Sequence, residues 1–149
     1  MGRPRRDIRI ALAGCARPAL APLTVRRVVG AVLDGERAGP AVFSVTFMGP
    51  VRMRALNRRA FGRDRVTDVI AFELPHPGGA GGDVYLCPAV ARASAGTLGV
   101  SPREELVRLL VHGTLHALGY HHPKGDRRTH SPMWRRQERY VSALSPGRS

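Results

Sequence analysis

Residues 101–122 read Ser101-Pro102-Arg103-Glu104-Glu105-Leu106-Val107-Arg108-Leu109-Leu110-Val111-His112-Gly113-Thr114-Leu115-His116-Ala117-Leu118-Gly119-Tyr120-His121-His122. A serine that can cap, a proline suited to the first helical position and a glutamate able to close a capping box mark a helix start at Ser101. Leu106, Val107, Leu109, Leu110, Val111, Leu115 and Leu118 then make the segment apolar nearly all round toward its end. That pattern predicts a helix buried in the middle of a domain. Gly119 supplies the stop.

His112 and His116 are four residues apart on this predicted helix, so their rings project from one face on consecutive turns and can share one ion. Because Gly119 lets the chain reverse, His122 can fold back to the same face, giving H-x3-H-x5-H. Three neutral imidazoles leave a fourth tetrahedral position for water, whose pKa a zinc ion brings down to about 7. This is the pattern of a catalytic metal site. A single histidine in an apolar helix is more often a satisfied core residue. Two on a helix otherwise filled with leucine and valine would be costly without a partner. His76 and His130 sit in loop-like surroundings and read as surface residues. The zincin proteases carry H-E-x-x-H, with the glutamate as general base, and here that position is Gly113, which argues against a peptidase. Glycine there is expected to open space beside the metal, enough for a sugar-phosphate backbone. Glu104 and Glu105, about two turns upstream, read as cap or surface residues.

Working outward, Ile8 to Leu12, Ala41 to Phe47, Val66 to Leu74 and Asp83 to Leu86 are short apolar or alternating runs bounded by Gly and Pro, hence strands. Leu23 to Leu33 and Val51 to Ala60 carry apolar residues at helical spacing, with Met53 and Leu56 facing the core in the second. Pro75 to Gly82, with four glycines and two prolines, reads as a flexible connection between neighbouring antiparallel strands. Pro132 to Leu144 is a last amphipathic helix with Met133, Tyr140, Val141 and Leu144 inward. The tail after Ser145 is expected to be loose.

The chain has 149 residues and a formal net charge of +13. That length suits one domain, 1–149, with a real core. The positive charge attracts phosphate backbones, so nucleic acid is the natural partner. Lys124 is the only lysine amid abundant Ala, Gly, Pro and Arg, so part of the charge reflects a biased composition. Aromatics are 5%, which favours recognition of the RNA backbone by arginine over base stacking. No apolar run approaches the 18 or more residues of a membrane span. Leu12-Ala13-Gly14-Cys15 superficially matches a lipoprotein cleavage site, but Asp7 and Arg9 break the apolar stretch that a secretory signal needs. Cys15 and Cys87 are far apart with no C-x-x-C spacing. The expectation is a soluble cytoplasmic protein with no membrane partner.

The run His112-Gly113-Thr114-Leu115-His116-Ala117-Leu118-Gly119-Tyr120-His121-His122 resembles the YbeY family of bacterial endoribonucleases of ribosomal RNA maturation. The resemblance extends through Leu56-Asn57, Asp64, Thr67-Asp68-Val69, Phe72 and Gly82-Asp83-Val84-Tyr85, covering most of residues 40–145. It implies a single α+β domain, with an about four-stranded mixed sheet packed with helices and one metal held by three histidines, its site on a buried central helix. It also implies single-strand-preferring RNA cleavage, work on small-subunit ribosomal RNA, and a part in ribosome quality control.

Two positions depart from the family pattern. Many relatives have Tyr-Arg after Leu-Asn, the arginine being linked to activity, whereas this chain has Ala60-Phe61. Arg59 or Arg63 is the candidate to bind and stabilise the phosphate instead, although a two-residue shift turns a helical side chain well away from its former direction. His121 stands where relatives commonly have aspartate, as a fallback ligand or a solvated neighbour; the family spacing favours His122. Asn57 reads as a helix-surface residue and Thr67-Asp68 as a strand entry. If Asp68 is functional, it orients a ligand ring or a substrate-bound water. The expected reaction is metal-assisted phosphodiester hydrolysis with zinc, or another divalent transition metal, acting on ribosomal RNA or ribosomal particles. Two other readings stay open: a ribosome-associated RNA-binding factor with a structural metal, and a three-histidine hydrolase of another substrate.

Overall fold

The computed structural model describes residues 2–121 and 131–145. His122, His130 and the tail beyond Ser145 lie outside the described residues. The elements run β1 (Arg6–Ala13), α1 (Pro22–Gly35), β2 (Ala41–Met48), α2 (Pro50–Phe61), β3 (Val69–Glu73), β4 (Ala80–Leu86), α3 (Pro88–Leu98), α4 (Pro102–Ala117) and α5 (Pro132–Leu144). The strands form one sheet in the order β1-β2-β4-β3. β1, β2 and β4 are parallel, and β3 returns antiparallel to β4, with Val69 opposite Leu86 and Glu73 opposite Gly82. The sheet is mixed, and β3 is an edge strand.

Alternation along the strands sorts the core into two layers, because successive side chains point to opposite faces. Phe43, Val45, Phe47, Val84 and Leu86, with Val69 and Ala71, pack in the larger layer with α1, α4 and α5. Ile70 and Met48, with Phe72 and Tyr85, pack in a smaller layer with Met53 and Leu56 of α2. α4 is the hub. It rests on β3 and β4 and touches α1, α3 and α5, which is why its sequence is apolar nearly all round.

The structure corrects the sequence reading of the elements at three places. β3 begins at Val69, three residues later than expected. β4 begins at Ala80, so Ala80 to Gly82 belong to a strand and not to the connection. The glycine at 82 is required by packing: a Cβ there would lie 2.6 Å from the Ala117 Cβ and 2.7 Å from the Phe43 ring. The third correction is α3, which the apolar pattern does not announce. It buries only Pro88, Ala91 and Ala95, so small side chains carry its contact with α4 and leave little hydrophobic signal.

Candidate metal centre and cleft

α4 starts where the sequence places it. The Ser101 hydroxyl accepts from the Glu104 backbone N–H at 3.0 Å, and Pro102 occupies the first helical position. At the far end Gly119 takes φ +103, which an L side chain rarely adopts, and its N–H donates to the His116 carbonyl at 2.9 Å. The next residue, Tyr120, donates its hydroxyl to the Glu36 carboxylate at 2.6 Å. Tyr140 and Arg136 of α5 meet the same carboxylate. Burial opposes ionisation of Glu36, but these donors prevail and hold its pKa below the ordinary value. The turn that leaves α4 is thereby tied to α1 and α5.

His112 and His116 come together as their spacing requires, with ring centroids 4.6 Å apart and planes at 69°. Both are partly exposed and line a cleft of about 480 Å³. Gln137 of α5 meets His112 Nδ1 through its Oε1 at 2.7 Å. The His121 ring lies 6.1 Å from that of His116, centroid to centroid. His122, the third expected ligand, is outside the described residues. Among the described residues no set of three His, Cys, Asp or Glu side chains closes around one point. Two neighbouring imidazoles, one held through its Nδ1 and both open to the cleft, are a donor set that suits a borderline-soft divalent ion such as zinc.

Gly113 does not open space as expected. A Cβ there would come within 2.7 Å of Val84 Cγ1 and 3.2 Å of Val69 Cγ2. The missing side chain therefore lets α4 lie close on the sheet, and a glutamate at 113 would be driven into β4.

A second wall of the cleft comes from the end of α2, the segment that follows it and β3. It includes Asn57, Phe61, Arg63, Arg65, Asp68 and Glu73. Arg63 thus faces the cleft, whereas Arg59 is absent from its lining and its charge acts on Tyr85. Arg65 was not singled out from the sequence, where nothing but position distinguishes it from its neighbours. Phe61 is 51% exposed and stacks on Phe72 with centroids 6.0 Å apart and planes within 8°. Asn57 is buried, contrary to its reading as a surface residue, because its Nδ2 donates to the Arg65 carbonyl at 3.0 Å and secures the wall. Asp68 lines the cleft, and its Oδ1 accepts from the Val69 N–H at 2.7 Å.

Glu104 and Glu105 also differ from their cap-or-surface reading. Both carboxylates meet Arg108, one turn along α4, at 3.1 Å. Glu138 of α5 meets the same guanidinium through both oxygens, at 2.9 and 3.0 Å. Burial pushes the Glu105 pKa up, with Asp68 and Glu138 adding to the rise and Arg108 opposing it.

The chain is similar in sequence and in fold to known proteins. The family model described as Endoribonuclease YbeY matches residues 21–145. An endoribonuclease YbeY of Thermus thermophilus is 34% identical over 107 residues, covering 68% of this chain and 77% of that protein. One from Sulfurihydrogenibium is 41% identical over 87 residues, covering 56% of this chain and 57% of that protein. The solution structure of TM1509 from Thermotoga maritima superposes with a TM-score of 0.59 at 25% identity, covering 92% of this chain and 88% of that one. With the family model matching residues 21–145, the chain belongs to the YbeY family of endoribonucleases.

Proposed function

We propose that this endoribonuclease cleaves single-stranded stretches of ribosomal RNA during small-subunit maturation and ribosome quality control. It does so in the cytoplasm with one divalent ion, zinc first, held by His112, His116 and His122. The observation that carries the reading is the pairing of two adjacent imidazoles on one wall of a cleft with Arg63 and Arg65 on the other. When bound, the ion would supply Lewis acidity toward water and a phosphoryl oxygen. The chain's own residues do the rest. Arg63 and Arg65 neutralise the phosphate and the charge that develops on it. The exposed face of Phe61 offers a stacking surface for an unpaired base, which suits single strands. Asp68 orients water or a ligand ring from beside β3.

Incubating protein of known metal content with single-stranded ribosomal RNA fragments, beside His116→Ala, tests this. Wild type is expected to cut and to carry about one metal ion per chain; the variant should fall to background in both. Equal cleavage by the two proteins would refute the reading. A second reading, an RNA-binding factor with little turnover, is favoured by Phe61 standing where many relatives carry arginine. It predicts salt-sensitive binding without cleavage.

A further inference from the structure

The contact between His112 and α5 continues as a chain of directed hydrogen bonds. Gln137 is 5% exposed; its Oε1 meets His112 Nδ1 at 2.7 Å and its Nε2 donates to Glu138 Oε2 at 3.0 Å. Glu138 is in turn gripped by Arg108 through both carboxylate oxygens. Each link in this chain has only one sense. A guanidinium only donates, and a carboxylate bound to it on both oxygens is ionised and only accepts. The amide group beside that carboxylate must therefore be the NH2 end, which turns the Gln137 carbonyl toward His112. An amide carbonyl only accepts, so Nδ1 must carry a proton. A neutral imidazole has one N–H, which leaves the lone pair on Nε2.

We propose that Gln137 is a positioning residue for His112, fixing its ring orientation and its Nδ1–H tautomer so that Nε2 is the nitrogen offered to a metal. Arg108, one helical turn before His112, sets the direction of the whole relay through Glu138. The inference rests on the reading of His112 as a ligand. A neutral amide here, where such partners are often carboxylates or backbone carbonyls, adds no charge to the centre. Its orientation is dictated from the far end by a half-buried ion pair.

The test uses the full chain and two substitutions. Gln137→Met keeps length and burial but removes the acceptor; Gln137→Glu keeps an acceptor but sets a second carboxylate beside Glu138. Zinc affinity is measured by competition with a chromophoric chelator. The tautomer is read on metal-free protein from long-range proton–nitrogen NMR correlations of His112, and the melting temperature is followed alongside. Wild type is expected to show the Nδ1–H form. Gln137→Met should lose that preference and bind zinc about 10–100-fold more weakly. Gln137→Glu should recover most of the affinity while melting lower than Gln137→Met. A residue that merely ties α4 to α5 would give the reverse, with affinity unmoved by methionine. Wild-type His112 protonated on Nε2, or a methionine variant that holds zinc as tightly as wild type, would overturn the proposal. Wild-type protein that takes up no zinc would refute the metal reading itself, and the role of Gln137 with it.

Discussion

The two walls of the cleft are built on opposite principles. On the α4 side, charges are partly or wholly buried and paired several times over: Arg108 is 16% exposed and meets three carboxylates, and His112 is held from α5. On the other side the charges stand in solvent. Arg54 and Asp64, which bridge α2 to the segment before β3, have side chains 56% and 51% exposed, and Arg63 and Arg65 are exposed too. Buried pairs are screened little by salt and fix geometry, whereas exposed ones are screened and hold loosely. The first wall suits an ion that needs donors at set distances. The second suits a flexible polyanion whose bound conformation varies along its length.

Substitutions in each wall test this contrast. The largest effect is expected for Arg108→Met, which strands three partly or wholly buried carboxylates. Breaking a buried pair in this way costs about 3–5 kcal/mol, and differential scanning calorimetry should show a drop in melting temperature of roughly 10 °C. The loss should be smallest in acid. A carboxyl whose pKa is raised by folding, as that of Glu105 is above 4.5, binds its proton more tightly folded than unfolded. The stability it contributes is present below the ordinary value and lost as pH rises through the raised one. A middle effect is expected for Phe61→Ala, which leaves the melting temperature nearly unchanged. It should weaken binding of a short single-stranded RNA by about 1–3 kcal/mol, the value of one base stacked on one ring, read by fluorescence anisotropy. The smallest is expected for Arg54→Ala, with a melting temperature indistinguishable from wild type at about 150 mM salt despite two hydrogen bonds to Asp64. A large destabilisation by Arg54→Ala would erase the contrast between the walls.

Much of the first wall was legible in the sequence, because its signals are local. A serine cap, a proline, leucines at helical spacing and a terminal glycine define α4, and the i, i+4 histidines follow from its pitch. The same holds for α1 and α2, whose valines and Met53 sit where periodicity puts them. What was missed depends on partners distant in sequence or on side chains too small to register. Gln137 lies 25 residues from His112 on another helix, and no spacing rule joins them. Asn57 looked exposed because its neighbours are arginines, yet its buried amide serves a carbonyl eight residues on. α3 escaped because alanine packing leaves no hydrophobic stripe, and the start of β4 escaped because glycines read as loop until Phe43 and Ala117 are seen against them.

Gly82 on β4 and Gly113 on α4 face each other's elements across the same seam, one beneath Ala117 and the other above Val84. Each omits a side chain where its neighbour supplies one, so helix and sheet mesh at a separation set by the methyl groups of Ala117, Val69 and Val84 and the ring of Phe43. Such a joint leaves little room for a side chain to change rotamer and absorb error, and interiors this tightly filled transmit strain instead of dissipating it. The height of His112 and His116 over β3 is therefore a property of the scaffold. Variation that retunes the cleft has to come from the exposed arm between α2 and β3, which leaves the ruler untouched while the surface it measures against is free to change.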